Sequence, residues 1–253
     1  MRLFWLIRKL RKKPVFSGKG LLKALILKGG KIHGFCACHI VFLLLLPAAN
    51  GHRGKQLTPA GHTVVSLDFH FQEQPSTPDS DTIYYAPYRK LSWNDFTGRP
   101  PLSGPSGAVS YTSFSYEGSS RVYKDTLHIS LLLQVFFVKS ASWVKPGNNT
   151  TYGLAHEQLH FDITRLVVER FKQRLKQTAL NRDDYDSVIQ FQYLEAFREM
   201  NRLQYAFDRD THSGMNAAAQ ASWREKVTIA LKNNGTLPEE LGNDINSFPS
   251  GPR

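Results

Sequence analysis

Near residue 150 the spacing of apolar residues changes, and that change limits what this chain can fold into. Before it, residues 64–71, 108–117 and 122–138 carry alternating or near-continuous apolar residues, the mark of strands. After it, residues 152–180, 185–207 and 216–233 show apolar positions three and four apart, as helices with one buried face require. Ile163, Leu166, Val167 and Phe171 make one such stripe. Strands followed by helices predict an α+β fold, with antiparallel strands first and a helical half after them. The segments 108–117 and 122–138 are expected to pair across the turn Glu117-Gly-Ser-Ser-Arg121. The run 127–138 is expected to be a well-covered strand.

Charge divides the chain at a different place. The net charge of +11 over 253 residues suggests a nucleic-acid or anionic-membrane partner. Ten Lys and Arg, with no Asp or Glu, fall in residues 1–50, which leaves 22 basic against 21 acidic residues for the rest. The nucleic-acid reading therefore loses its support. The basic segment leads into the 12-residue apolar run from Phe35 to Leu46 and then Pro47-Ala-Ala-Asn-Gly51, the layout of a secretory signal peptide. Residues 1–50 are thus expected to be a signal peptide or an N-terminal membrane anchor, and the protein to be exported to the periplasm or cell envelope. Any membrane contact would come only through that segment. Cys36 and Cys38 are the only cysteines, so the exported part offers no disulfide, thiolate ligand or cysteine nucleophile. Residues 51–84 are expected to be linker with one short strand, and 236–253 a flexible tail rich in Gly and Pro.

The chemistry is concentrated in His156-Glu157-Gln158-Leu159-His160, an H-E-x-x-H motif inside a predicted helix. Residues i and i+4 stack on one helix face, so both imidazoles can reach one ion. Zinc suits such nitrogen donors and leaves a position open for water. Glu157 projects one step round the helix, placed to act as general base and acid. A third ligand has to come from downstream, where the candidates are Glu195, Glu199, Asp208, Asp210 and His212. His212 would complete a three-imidazole site, with Asp208 the alternate ligand or a group that orients one. Glu195 and Glu199 can equally form a solvated face with Arg198 and Arg202.

Other residues invite weaker expectations. Trp93 and Phe96 are expected to pack rather than to line a groove. Residues 131–143, ending in Ser142-Trp143, are the candidate substrate-binding edge strand. Tyr152 and Tyr205 are candidate donors to a tetrahedral oxyanion.

Several blocks together resemble the DUF922 family of bacterial zinc-dependent proteases, within the zincin group. They are Leu91-Ser-Trp-Asn-Asp-Phe-Thr-Gly-Arg-Pro100, Ser142-Trp143, Leu154-Ala-His-Glu-Gln-Leu-His-Phe-Asp162, Phe207-Asp-Arg-Asp-Thr-His212 and Gln220-Ala-Ser-Trp223. They follow the family's order over about residues 85–231. The resemblance implies a zincin-like metallopeptidase domain over residues 85–235, with Zn2+ as cofactor and no particular substrate; a peptide, protein or cell-wall substrate is the expectation from the chemistry. The family's pattern reads Y-D-x-x-T-x-H, whereas here Phe207 replaces the tyrosine and His212 directly follows Thr211. The third ligand therefore stays open between His212 and Asp208. The rival reading is a non-catalytic envelope protein that binds metal or a partner. Glu157 distinguishes the two, because a structural site needs no carboxylate between its histidines.

Overall fold

A computed structural model describes residues 15–17, 64–73 and 80–236. The apolar run before residue 51 and the tail beyond residue 236 lie outside the described residues. The fold is α+β: a mixed sheet covered on one face by helices, with three helices in all and the last of them packed on the other two. The strands are β1 (Val15–Ser17), β2 (Val64–Phe71), β3 (Thr82–Tyr84), β5 (Thr112–Tyr123) and β6 (Thr126–Val138), with a small ribbon of β4 (Ala108–Val109) and β7 (Trp143–Val144). The helices are α1 (Thr151–Gln177), α2 (Tyr185–Thr211) and α3 (Ala217–Lys232). No helix among the described residues is long and apolar enough to cross a membrane.

β6 is the spine of the sheet. β5 runs antiparallel along one side of it, while β2 (parallel) and β3 (antiparallel) share the other. Leu127, Ile129, Leu131, Leu133, Val135 and Phe137 alternate toward the helices and are all buried. This corrects the reading of residues 131–143 as an edge: β6 is paired on both sides. A dense apolar strand is well covered, and that density suits an interior strand better than an edge. β2 also departs from the antiparallel expectation. Within the segment read as linker and short strand, it joins the main sheet in parallel to β6.

The β5–β6 turn is also displaced from its expected place. It is the two-residue loop Lys124-Asp125, with φ of 45° and 59°, closing the pair Tyr123↔Thr126. Gly118 and the serines beside it lie within β5, with β1 alongside at Gly118↔Phe16. β1 itself falls in the segment expected to be a leader.

The three helices fall where the apolar spacing put them. Ile163, Leu166, Val167 and Phe171 are essentially fully buried. Each such side chain stabilises the fold by about 1.5–3 kcal/mol. Thr150 caps α1 by accepting from Gly153 N at 2.9 Å, and Asn216 caps α3 by accepting from Ala219 N at 3.1 Å. Trp93 and Phe96 pack, with Phe96 against Phe137 and the Trp93 indole N–H donating to Thr150 O at 3.1 Å. They fix the chain ahead of β4 to the start of α1.

Candidate metal centre

His156 and His160 lie one turn apart in the first half of α1, on a face that looks toward the end of α2. There Asp208 extends its carboxylate between them. Its Oδ1 is 3.2 Å from His156 Nε2 and 3.1 Å from His160 Nε2. Ligand atoms about 2.0–2.1 Å from a tetrahedral ion stand roughly 3.3 Å apart, so this spacing fits one ion. Among the described residues these three form the group able to hold a metal, their ligand atoms all lying within 4.8 Å of one another.

The hydrogen bonds behind the rings decide which nitrogen faces the site. His156 Nδ1 is 3.0 Å from Gln220 Oε1, and His160 Nδ1 meets Gln204 Oε1. An amide oxygen only accepts, so both Nδ1 atoms carry the proton and both Nε2 atoms present lone pairs. Two lone pairs and a carboxylate oxygen thus converge on one point. Three acceptors that close repel unless a proton or a metal cation lies among them, and the donor set fits a divalent ion.

With Nε2 protonated as well, each ring donates to Asp208 instead, and the electrostatics follow that state. Burial alone would push the His160 pKa down, but the Asp208 hydrogen bond and charge, with Glu157 and Gln204, raise it overall. Burial would raise Asp208, yet the two imidazoles hold its carboxyl well below the usual range.

Phe207 forms the floor of the site. It is fully buried, stacks on His156 at 4.5 Å between centroids and meets His160 edge-on at 4.9 Å. Trp223 backs it from α3 at 5.5 Å and donates to Asp210 Oδ2. Asp210 therefore serves the helix junction and pairs with Arg209. The other polar residues of the motif block face elsewhere. Gln158 accepts from Leu91 N at 2.8 Å and donates to Asp162, which also accepts from Tyr85 OH at 3.0 Å. They fasten the chain around residues 85–91 to α1.

Glu157 is buried and faces the same cleft, its Oε2 accepting from Ser110 Oγ at 2.6 Å. Ser110 is itself fixed by a chain of contacts. Next to it, Tyr111 N donates to Ser142 Oγ at 2.8 Å, and Gly98 N donates to Ser142 O at 2.8 Å. A Cβ on Gly98 would stand 2.6 Å from Ser140 O and 2.7 Å from Ser142 O, so only glycine allows this approach. Ser142-Trp143 thus acts near the site by anchoring residues 108–111. The cleft, about 780 Å3, runs between residues 105–112, the start of α1, the end of α2 and the turn at 212–215.

The structure brings His156, Glu157, His160 and Asp208 together. His212 is outside the three-residue metal group; it ends α2 in a left-handed conformation, exposed, and lines the cleft. Glu199 is buried in ion pairs with Arg170 and Arg174, and Glu195 pairs with Arg198 at the surface. Tyr152 lines the cleft, while Tyr205 is exposed elsewhere on α2. Ser110, Gln204 and Gln220 were not singled out from the sequence as site residues. Gln204 had a local signal, since it lies four residues before Asp208 on the same helix face. Compared with protein-family models, curated proteins and solved structures, the chain matches none.

Proposed function

We propose that this chain is an exported zinc-dependent metallopeptidase with a zincin-like fold, of the DUF922 kind. It would hydrolyse peptide or related amide bonds in a peptide, protein or cell-wall substrate. The observation that carries this reading is the convergence of His156 Nε2, His160 Nε2 and Asp208 Oδ1 on one point beside the buried Glu157. His156, His160 and Asp208 would hold the ion, with Gln220 and Gln204 keeping the two rings in register. Zinc bound there supplies Lewis-acid activation of water at neutral pH. Glu157 does the proton work. Ser110 holds its Oε2, and Oε1 takes the proton of the attacking water and passes it to the leaving amine. The cleft along residues 105–112 gives the substrate access from one side. The leader of residues 1–50 supplies the export signal or anchor in this reading.

The test is metal content and hydrolysis of the full chain, with His156→Ala and Glu157→Gln beside the wild type. One zinc per chain is expected in the wild type and in Glu157→Gln, and none in His156→Ala. Casein or peptidoglycan stem peptides should be cleaved by the wild type and not by Glu157→Gln. A wild-type chain that takes up no zinc after reconstitution overturns the reading. Zinc uptake with hydrolysis equal in both proteins leaves a metal-binding protein whose Glu157 is idle.

A further inference from the structure

The metal centre draws on α2 and α3 at once. Asp208 lies in the last turn of α2, while Gln220, which holds the His156 ring, and Trp223, which backs Phe207, lie on α3. Residues 212–216 join the two helices, so the shape of that turn sets how the carboxylate and the imidazole meet.

The turn has an unusual backbone. His212, Ser213 and Gly214 have φ of 49°, 53° and 86°, three left-handed residues in a row. Two of them carry a Cβ, and such conformations persist only where the surroundings impose them. Thr211 is the centre of what imposes them. Its side chain is fully buried, and its Oγ1 donates to Phe207 O at 2.7 Å. Helical threonines often bond back four residues in this way. Here the same oxygen also accepts from Gly214 N at 3.3 Å, beyond the end of the helix. The Thr211 carbonyl accepts from Asn216 N at 2.8 Å, and Asn216 is the cap of α3. Ser213 N donates to Asp208 O at 2.7 Å, which closes the turn onto the residue that carries the carboxylate. A Cβ on Gly214 would stand 3.4 Å from Nδ1, 3.5 Å from Cγ and 3.8 Å from Cε1 of His156, so the turn also lies beside that imidazole.

We propose that Thr211 is a positioning residue for the metal centre: its hydroxyl locks the left-handed turn and so sets α3, Gln220 and the His156 ring against Asp208. Thr211 itself touches neither metal nor substrate. Without the hydroxyl, Gly214 N turns to water, the turn loses a restraint, and α3 no longer holds the ring in one orientation. The proposal rests on the metal site of the reading above.

The test titrates zinc into the metal-free full chain against a chromophoric chelator and records the metal-free melting temperature, for wild type, Thr211→Val and Thr211→Ser. Valine keeps the volume and loses the hydroxyl, whereas serine keeps the hydroxyl and loses the methyl group. Without metal both variants should melt a few degrees lower, because each disturbs a buried position. Zinc affinity should fall about 10-fold in Thr211→Val and stay within about 2-fold of the wild type in Thr211→Ser. Thr211→Ala carries the valine expectation should that variant not fold. Wild-type affinity in a folded chain that lacks the hydroxyl overturns the proposal, since Thr211 would then serve stability alone. An equal loss in Thr211→Ser overturns it too, because the packing of the methyl group would then be responsible. A wild type that takes up no zinc overturns the metallopeptidase reading instead.

Discussion

Gln204 grips His160 from two directions. Its Oε1 accepts the His160 Nδ1 proton, and its Nε2 donates to the backbone carbonyl of the same residue at 2.9 Å. A further bond from Nε2 to Thr164 Oγ1 at 3.0 Å keeps the amide from rotating. The ring therefore has one orientation, with Nε2 toward Asp208.

Gln204→Ala should lower zinc affinity by about 10- to 100-fold, since it frees the ring and its tautomer. Competition with a chromophoric chelator measures this. Gln204→Glu, which keeps an acceptor for Nδ1, should fall between the two. Equal affinity in all three proteins would show that the amide does not orient the ligand.

Ser110 should act on Glu157 and not on the metal. Ser110→Ala removes a hydrogen bond to the carboxylate, and kcat should fall about 10-fold with KM and zinc content unchanged. Ser110→Thr keeps the hydroxyl and should recover most of the loss. A fall in zinc content would instead mean that the segment between β4 and β5 positions α1 as a whole.

Glu199 separates stability from chemistry. It is buried between Arg170 and Arg174, both at 2.6 Å. Glu199→Ala leaves two guanidinium groups without their carboxylate and should cost about 3–5 kcal/mol in urea unfolding. Zinc binding per folded chain should not change. A loss of zinc at full stability would return Glu199 to the list of ligands.

Burial of tyrosines sets an alkaline limit. Tyr193 is 5% exposed, and burial raises its pKa from 10.0 to about 12. Tyr85 and Tyr116 are raised further, mainly by burial, with Asp162 adding to Tyr85 and Tyr193 to Tyr116. A folded pKa above the unfolded one means that the stabilisation is full below pH 10 and is lost as the pH rises through 12. Urea unfolding should show Tyr193 alone contributing a loss of about 2 kcal/mol by pH 11.5. Tyr193→Phe should flatten that part of the slope.

Helices were the most legible part of this chain. Their signal is local: apolar residues three and four apart, such as Ile163, Leu166, Val167 and Phe171, must share a face whatever lies opposite. The motif was legible for the same reason, because four residues of helix bring His156 and His160 to one side without help from the rest of the chain. Strand identity also came through for β2 and β6, whose alternation matches their burial. Pairing did not. The turn at Lys124-Asp125 contains no glycine, while Gly118 and its serines looked like a turn and lie within β5. Whether β6 was edge or spine depended on β2 and β3 arriving from earlier in the chain.

The sequence by itself determined the α+β order, the three helices and the two imidazoles with a carboxylate between them, since each follows from spacing along one element. The tertiary structure decided everything that needs two elements to meet. It chose Asp208 over His212 beside the imidazoles, because the last turn of α2 aims the carboxylate inward before the left-handed turn carries His212 to the cleft wall. It brought Ser110 to Glu157 and the two glutamines to the two rings across 44 to 64 residues of chain. Contacts over such separations depend on how the helices cross and where the sheet ends, and no local pattern of residues encodes either.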